Sequence, residues 1–422
     1  MVRNVLCLWA ATGALLVANQ SVSRADILAG SFFDSRVLRL DDETGVELPG
    51  GISAGSAGLA FPAGVAVGPD GNIYVSSNLT GEVLYYDGAT GAPLPSPHVG
   101  ERDGLFATLP DNPPAEEGGD PLTAAPARLR FGPDGDLYVS DFGSPVVREF
   151  DGVTGDFLSD AATVSFVSAG IEFASNGDLL VGDFGAAMVM RFGGGGPQVW
   201  VPPGSAGLQT PGGLLTGYDD ELLVSDLYGN QILRFDSSGQ NGSQWAEIPP
   251  ENMPPLPPGA DPSGSNFPSD MAWGPDGNLM LAVLGLTNPL MGGANDRGAV
   301  LRFDPSGILQ EEDSFTGLTP ISSVAWIAAA GAIAGDYDGN GSVQEGDFDK
   351  WRLDFGKLVA PGSGADGNGN GIVDAADYTY WRDILSSLGS GAGAGAAAVP
   401  EPSAFVLWAW SALWLSNRRR RR

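Results

Sequence analysis

Residues 68–91 read GPDGNIYVSSNLTGEVLYYDGATG. Pro69-Asp70-Gly71 forms a turn, because proline presets φ for the first corner and glycine accepts a positive φ. Residues 73–76, IYVS, and 82–86, EVLYY, are β-branched and aromatic. Each run is bounded by turn formers, so the two pair as a hairpin. Residues 87–91, DGATG, turn the chain again.

The hairpin recurs. GPDGDLYVSDFGSPVVREFDGVTG runs over 132–155, SNGDLLVGDFGAAMVMRFGGG over 175–195, and DDELLVSDLYGNQILRFDSSG over 219–239. GPDGNLMLAVLG starts at 274, and its partner GAVLRFDPSG arrives at 298; ILAGSFFDSRVLRLDDETG, 27–45, has the same form without the leading turn. First strands begin near 27, 73, 137, 179, 222 and 279, a spacing of strands alone that marks propeller blades. Before five of the hairpins lies a small-residue apolar segment: 62–67, 127–131, 169–173, 212–215 and 270–273. These suit innermost strands crowded round a channel. A sixth such segment, 321–326, follows the last hairpin, while the first hairpin lacks one. A ring closed by strands from both termini satisfies the count and protects the sheet edges. Residues 26–330 are therefore expected to form one all-β six-bladed β-propeller.

The motif PDGxLYVSD…VxxFDxxTG resembles the NHL repeat and the blades of streptogramin lyase-like and gluconolactonase-like propellers. The resemblance implies the fold; propellers of this kind serve many chemistries, and many have none. A lyase-like activity would imply a histidine base and a divalent metal at the channel mouth. The one histidine, His98, lies in a polar insertion over 93–126 rather than at a repeat position, and is expected to be an exposed loop residue. A gluconolactonase-like site would imply a Glu/Asn/Asp metal cluster, to which Glu172 and Asp270 on inner strands are candidates. Asp141, Asp183 and Asp226 recur at strand ends, and recurrence points to a structural job, accepting turn N–H groups in each blade. The insertion over 93–126 and a second over 248–268 are proline-rich, so neither is expected to hold secondary structure.

The net charge is −30 over 422 residues. No basic patch serves nucleic acid, and such a surface repels phosphates. Residues 1–25 read as a secretory signal peptide: Arg3, an apolar core over 5–17, and Ser23-Arg24-Ala25 as a small-x-small cleavage site before Asp26. A retained N-terminal anchor is the alternative, disfavoured by the shortness of the run. The single cysteine, Cys7, falls in the removed segment, so disulfides play no part.

From 335 the composition changes. Residues 336–347, DYDGNGSVQEGD, have the spacing of a calcium loop: Asp336, Asp338 and Asn340 at positions 1, 3 and 5, Gly341 for the turn, the Ser342 carbonyl at 7, Gln344 through water at 9 and Asp347 at 12. Residues 366–377 repeat it with Asp366, Asn368, Asn370, the Ile372 carbonyl, Asp374 and Asp377. Two calcium ions are implied. One short helix follows each loop, over 348–356 and 378–385, and places Phe348, Trp351 and Phe355 on one face. The module over 335–388 resembles a dockerin, the duplicated loop–helix unit that docks onto cohesin domains; positions 10 and 11, Glu345-Gly346 and Ala375-Ala376, lack the hydroxyl pair of cellulosomal examples.

Residues 389–398 are a Gly/Ala linker. Val399-Pro400-Glu401-Pro402, an apolar run over 404–416 and five arginines over 418–422 resemble a PEP-CTERM sorting tail, 399–422, which an exosortase reads and cleaves at the membrane. The alternative is a retained anchor, with the arginines held on the cytoplasmic side. Together these readings describe an exported binding or scaffolding protein of a Gram-negative-type envelope surface or extracellular matrix. The propeller is its ligand-binding domain, and the dockerin-like module docks to a cohesin-type partner. The alternative function is a secreted lyase, lactonase or polysaccharide-acting enzyme with its site at the channel mouth.

Overall fold

In the computed structural model the described residues are 25–110, 124–217, 221–248, 266–274, 277–285, 298–328, 335–337, 343–357, 359, 364–367 and 373–389. They form a six-bladed β-propeller and two helices. Residues 1–24 of the signal-peptide reading and the whole sorting tail lie outside the described residues; Ala25, the last residue of the expected signal peptide, opens the first strand and pairs with Ala328.

Five blades have four antiparallel strands, taken outward in chain order from an inner strand: Pro62–Val67 in blade 2, Pro126–Phe131 in blade 3, Ser168–Phe173 in blade 4, Pro211–Thr216 in blade 5 and Pro268–Trp273 in blade 6. Blade 1 is the seam. Its inner strand, Ile321–Ala328, comes from the far end of the ring and pairs antiparallel with Ala25–Ser31, so that Ile27 sits opposite Trp326. The ring thus closes as the repeat count required. Among the described residues blade 1 has no regular fourth strand; single bridges from Val37 to Ile52 and from Leu40 to Glu47 cover that edge.

Middle strands are buried on both faces because neighbouring blades pack on each side. Ile73 and Val75 pack with Leu28, Val37 and Ile327 of blade 1, whereas Tyr74 and Val83 pack with Leu129, Leu137 and Phe150 of blade 3. The core is a series of such inter-blade layers, which is why these strands read as continuous apolar runs rather than alternating ones. Buried serines stitch the inner strands together. Ser76 Oγ donates to Ala127 O of the next blade at 2.6 Å, and Ser269 Oγ to Ser322 O at 2.8 Å.

The insertion over 93–126 contains a strand after all: Leu105–Thr108 is the outer strand of blade 2, with Phe106 1 % exposed. Its proline content concealed a four-residue edge strand held by the Val83 side of the blade. The helices also start earlier than the aromatic residues suggested. α1 spans Glu345–Asp354 and α2 spans Ala375–Gly389. Gln344 caps α1, with Asp347 completing a capping box, so the helix begins inside the loop motif. Phe355 falls just past the end of α1 and is 54 % exposed; the buried core is Tyr337, Ala365, Val373 and Trp381.

Candidate functional site

The six inner strands align residue for residue. At their third position stand Gly64, Arg128, Gly170, Gly213, Asp270 and Ser323. Inner strands run so close that a Cβ on Gly64 would lie 2.4 Å from Ala127 O, and one on Gly213 2.8 Å from Ser269 O. Glycine is the residue that permits this approach. The space so left admits Arg128, which crosses the channel from blade 3. It donates through one terminal nitrogen to Ala63 O of blade 2 and through the other to Ser269 O of blade 6, at 2.9 Å.

Glu172 and Asp270 do converge here, and they converge on arginines. Arg130 reaches Asp270 Oδ1 at 3.3 Å and Glu172 Oε2 at 3.5 Å, and Arg128 Nε lies 3.8 Å from Asp270 Oδ1. Two cations thus balance two carboxylates. Burial pushes the Glu172 carboxyl up, against the pull of Arg130. Burial likewise works against the charge on Arg130, yet Asp270 and Glu172 beside it raise its pKa above the ordinary value, while Arg128, whose burial is opposed by Asp270 alone, is lowered. The donor set is that of an ion-paired plug rather than a cage for a divalent cation, whose carboxylates need to be open to the ion.

Asp141, Asp183 and Asp226 do the structural work expected of them. Asp141 Oδ1 accepts from Ala125 N at 2.8 Å and Gly143 N at 2.7 Å. Asp183 Oδ2 accepts from Ser165 N at 2.7 Å, and Asp226 Oδ1 from Thr210 N at 2.8 Å. Each ties the incoming connection of its blade to its own hairpin. Ser77 Oγ does the same in blade 2, accepting from Ala60 N. His98 sits at the outer rim, where Nε2 meets Phe106 O at 2.9 Å and Nδ1 lies 3.9 Å from Asp156. It packs on the outer strand of blade 2 and is half-buried rather than exposed.

The face on which every inner strand begins carries aromatic side chains that the sequence reading did not single out. Phe142, Phe184, Tyr228 and Phe267 come from blades 3 to 6, with successive ring centroids 5.9, 6.0 and 5.6 Å apart, each pair edge to face. Phe61 and Phe33 carry rings on the other side of the mouth, 5.9 Å apart. Phe61 and Phe267 both precede a proline and have φ of 54° and 53°. A bulky side chain in that region is strained, and such strain is held only where the surroundings impose it. Their signal in the sequence was the Phe-Pro pair repeated at two inner-strand starts.

In the C-terminal module, Asp347 Oδ2 accepts from Gln344 N and Asp377 Oδ2 from Asp374 N, each at 2.7 Å. The two position-12 residues are thus equivalent, and both are fully buried, as is Asp366 at 2 % exposed. Asp336 is half-buried. Burying carboxylates at repeat-related positions is costly without a cation. These all-oxygen donors fit calcium, and Asp336, Gln344, Asp347, Asp366, Asp374 and Asp377 are the described residues that would hold it. Asp338, Asn340, Ser342, Asn368, Asn370 and Ile372 lie outside the described residues. In a separate trio on the propeller face opposite the aromatic one, Asp134 and Glu149 accept from the Tyr138 hydroxyl and Asp136 from Gly152 N.

No family model matches the chain, and no curated protein matches it. Among solved structures it is similar to virginiamycin B lyase from Staphylococcus aureus, at 15 % identity over 60 % of this chain and 69 % of that one, TM-score 0.40. A protein of unknown function from Bacteroides caccae matches at 15 % identity over 72 % of this chain and 99 % of that one, TM-score 0.45. A chain of a nidogen/laminin complex matches at 15 % identity over the same shares, TM-score 0.47. Likeness of this order extends to the propeller fold alone.

Proposed function

We propose that this protein is an exported binding protein of the cell surface or extracellular matrix, in which the propeller holds a ligand without transforming it. The observation that carries the reading is the channel network: the two acids best placed for metal chemistry, Glu172 and Asp270, are each engaged by Arg130. A metal-dependent lyase or lactonase would need those carboxylates for its ion, and Arg130 takes one oxygen of each. Residues 335–388 supply the second function, calcium-dependent docking to a cohesin-type partner, supported by the duplicated motif and its buried position-12 aspartates. The signal peptide and sorting tail would place the molecule outside the cell, with an exosortase acting in transit. The test is to incubate the purified protein with streptogramin B, simple lactones and polysaccharide, with calcium or magnesium. No turnover is expected, and turnover abolished by Asp270→Asn would overturn the reading in favour of the enzyme.

A further inference from the structure

We propose that the two calcium loops are unequal: loop 2, residues 366–377, is the tight site, and loop 1, residues 336–347, binds its ion more weakly and loses it first. The proposal rests on the reading of residues 335–388 as a calcium module and adds an order of filling.

The observation that carries it is the direction of the hydrogen bonds between the repeats. Position for position, Tyr337 matches Gly367, Val343 matches Val373, Gln344 matches Asp374 and Trp351 matches Trp381. Repeat 1 holds loop 2 at positions 8, 9 and 12. At position 8, Val373 N donates to Lys357 O at 2.9 Å, and Val373 O accepts from Gly356 N at 2.8 Å. At position 9, Asp374 O accepts from Trp351 Nε1 at 2.7 Å. At position 12, Asp377 O accepts from the Tyr337 hydroxyl at 2.8 Å. Trp351 lies on α1, and Gly356 and Lys357 lie just past its end, so most of these ties come from outside loop 1.

Among the described residues nothing matching runs back. Gly367 has no side chain to offer, and a Cβ there would collide with the Tyr337 hydroxyl. Trp381 Nε1 is buried and has no hydrogen-bond partner, although Trp381 is the mate of Trp351. Ser386 and Ser387, the mates of Gly356 and Lys357, lie inside α2. Their N–H groups are spent within the helix and are not offered to Val343.

The consequence is preorganisation. A calcium loop must bring several oxygens onto one ion. In loop 2 the backbone beside Asp374 and Asp377 is already fixed by neutral donors, so little ordering remains when the ion arrives. Loop 1 lacks those ties and bears that ordering cost at binding, which lowers its affinity. Charge does not reverse the order. Each loop carries three carboxylates at ligand positions, Asp336, Asp338 and Asp347 in one and Asp366, Asp374 and Asp377 in the other. Tyr337 lies between positions 1 and 3 of loop 1, so its bond to Asp377 O passes the order of loop 2 to loop 1.

The test uses the full chain, stripped with chelator and titrated with calcium in an isothermal calorimeter. Two binding steps are expected, separated by about tenfold or more in affinity. Asp366→Asn and Asp336→Asn each keep an oxygen at position 1 and remove a charge. The first is expected to weaken the tight step about tenfold, and the second the weak step. Tyr337→Phe removes one donor to loop 2 and keeps the ring; it is expected to weaken the tight step about fivefold. Tyr380→Phe, which removes the hydroxyl of an exposed ring in the same module, is the control and should change neither step. Two equal steps, a tight step weakened by Asp336→Asn rather than by Asp366→Asn, or a tight step indifferent to Tyr337→Phe would overturn the proposal and leave the calcium reading standing. No calcium bound by the wild-type chain would refute that reading, and the proposal with it.

Discussion

Arg128 Nε and Asp270 Oδ1 lie 3.8 Å apart across the propeller channel, joining blades 3 and 6 with both side chains at most 5 % exposed. Arg128 Nε and Asp270 Oδ2 have no hydrogen-bond partner among the described residues. The pair is therefore held by charge more than by hydrogen-bond geometry. Removing one partner strands a buried charge, whereas removing both does not. Asp270→Ala is expected to cost about 3–5 kcal/mol, and Arg128→Met with Asp270→Leu to cost less. Urea unfolding of the three proteins measures it; a double variant weaker than the single one would contradict the assignment.

The seam makes a second demand. The blade 1 strands Ala25–Ser31 and Arg36–Asp41 have no inner partner but Ile321–Ala328. Ser322 Oγ also donates to Gly30 O at 3.0 Å and to Pro62 O of blade 2. Deleting residues 321–328 opens the ring and leaves the inner edge of Ala25–Ser31 unpaired. The truncated protein is expected to lose the single sharp thermal transition of the intact propeller, and scanning calorimetry that finds the same transition would refute closure by this strand.

Acid should loosen the blade ends. Asp87 is held below the ordinary aspartate range by the Thr90 hydroxyl and amide, Asp236 by Ser238 and Asn241, and Asp304 by Ser306 and the Ile308 amide. A lowered folded-state pKa means stability present above the unfolded value of 3.8 and lost as pH falls through the folded value. Glu172 acts in the opposite sense: burial raises it, so its contribution is lost as pH rises through its folded value. The melting temperature is thus expected to drop from pH 4 downward, with a shallower drop in Asp236→Asn. A profile unchanged by Asp236→Asn would remove these turns from the account.

Calcium should govern the small module and spare the propeller. Among the described residues of 335–389 the fully buried apolar core is Tyr337, Ala365, Val373 and Trp381, with Phe348, Trp351 and Tyr378 packed against it, a small core to set against its own buried acids. Ligand binding to the folded state adds stability by mass action. Calorimetry of the full chain is expected to show a minor transition that shifts up with calcium and disappears with chelator or with Asp347→Ala plus Asp377→Ala. A minor transition indifferent to chelation would exclude the calcium reading.

Export leaves a mass signature. A surface form that begins at Asp26 and lacks residues 418–422 is expected from the cleavage-site and tail motifs. Intact arginines in the surface fraction, seen by mass spectrometry, would favour a retained anchor.

The repeat was legible because each hairpin is local. Turn formers such as Pro69-Asp70-Gly71 and the strand residues 73–76 and 82–86 act within a few residues of one another, and the observed strands Ile73–Ser77 and Glu82–Tyr86 match them within one residue. Even the seam was countable, since one hairpin lacked an inner strand and one inner strand lacked a hairpin. The outer strands were not legible. Phe157–Thr163 and Gly242–Glu247 have mostly exposed side chains, so no apolar pattern marks them; they exist because the neighbouring strand offers an open edge.

What the sequence determined by itself is the order of six hairpins and the duplicated acidic loops, both written in short-range spacing. Which charges meet was decided only by ring closure. Arg128 and Asp270 are 142 positions apart, on opposite blades, and nothing near either names the other. Curving six short strands round an axis brings their third residues to one level, and glycine at three of those positions opens the space that the arginine fills. The same curvature gathers Phe142, Phe184, Tyr228 and Phe267, one per blade, into a single arc. Contacts made by rotation about an axis depend on blade number and closure, and those are properties of the assembled ring rather than of any stretch of chain.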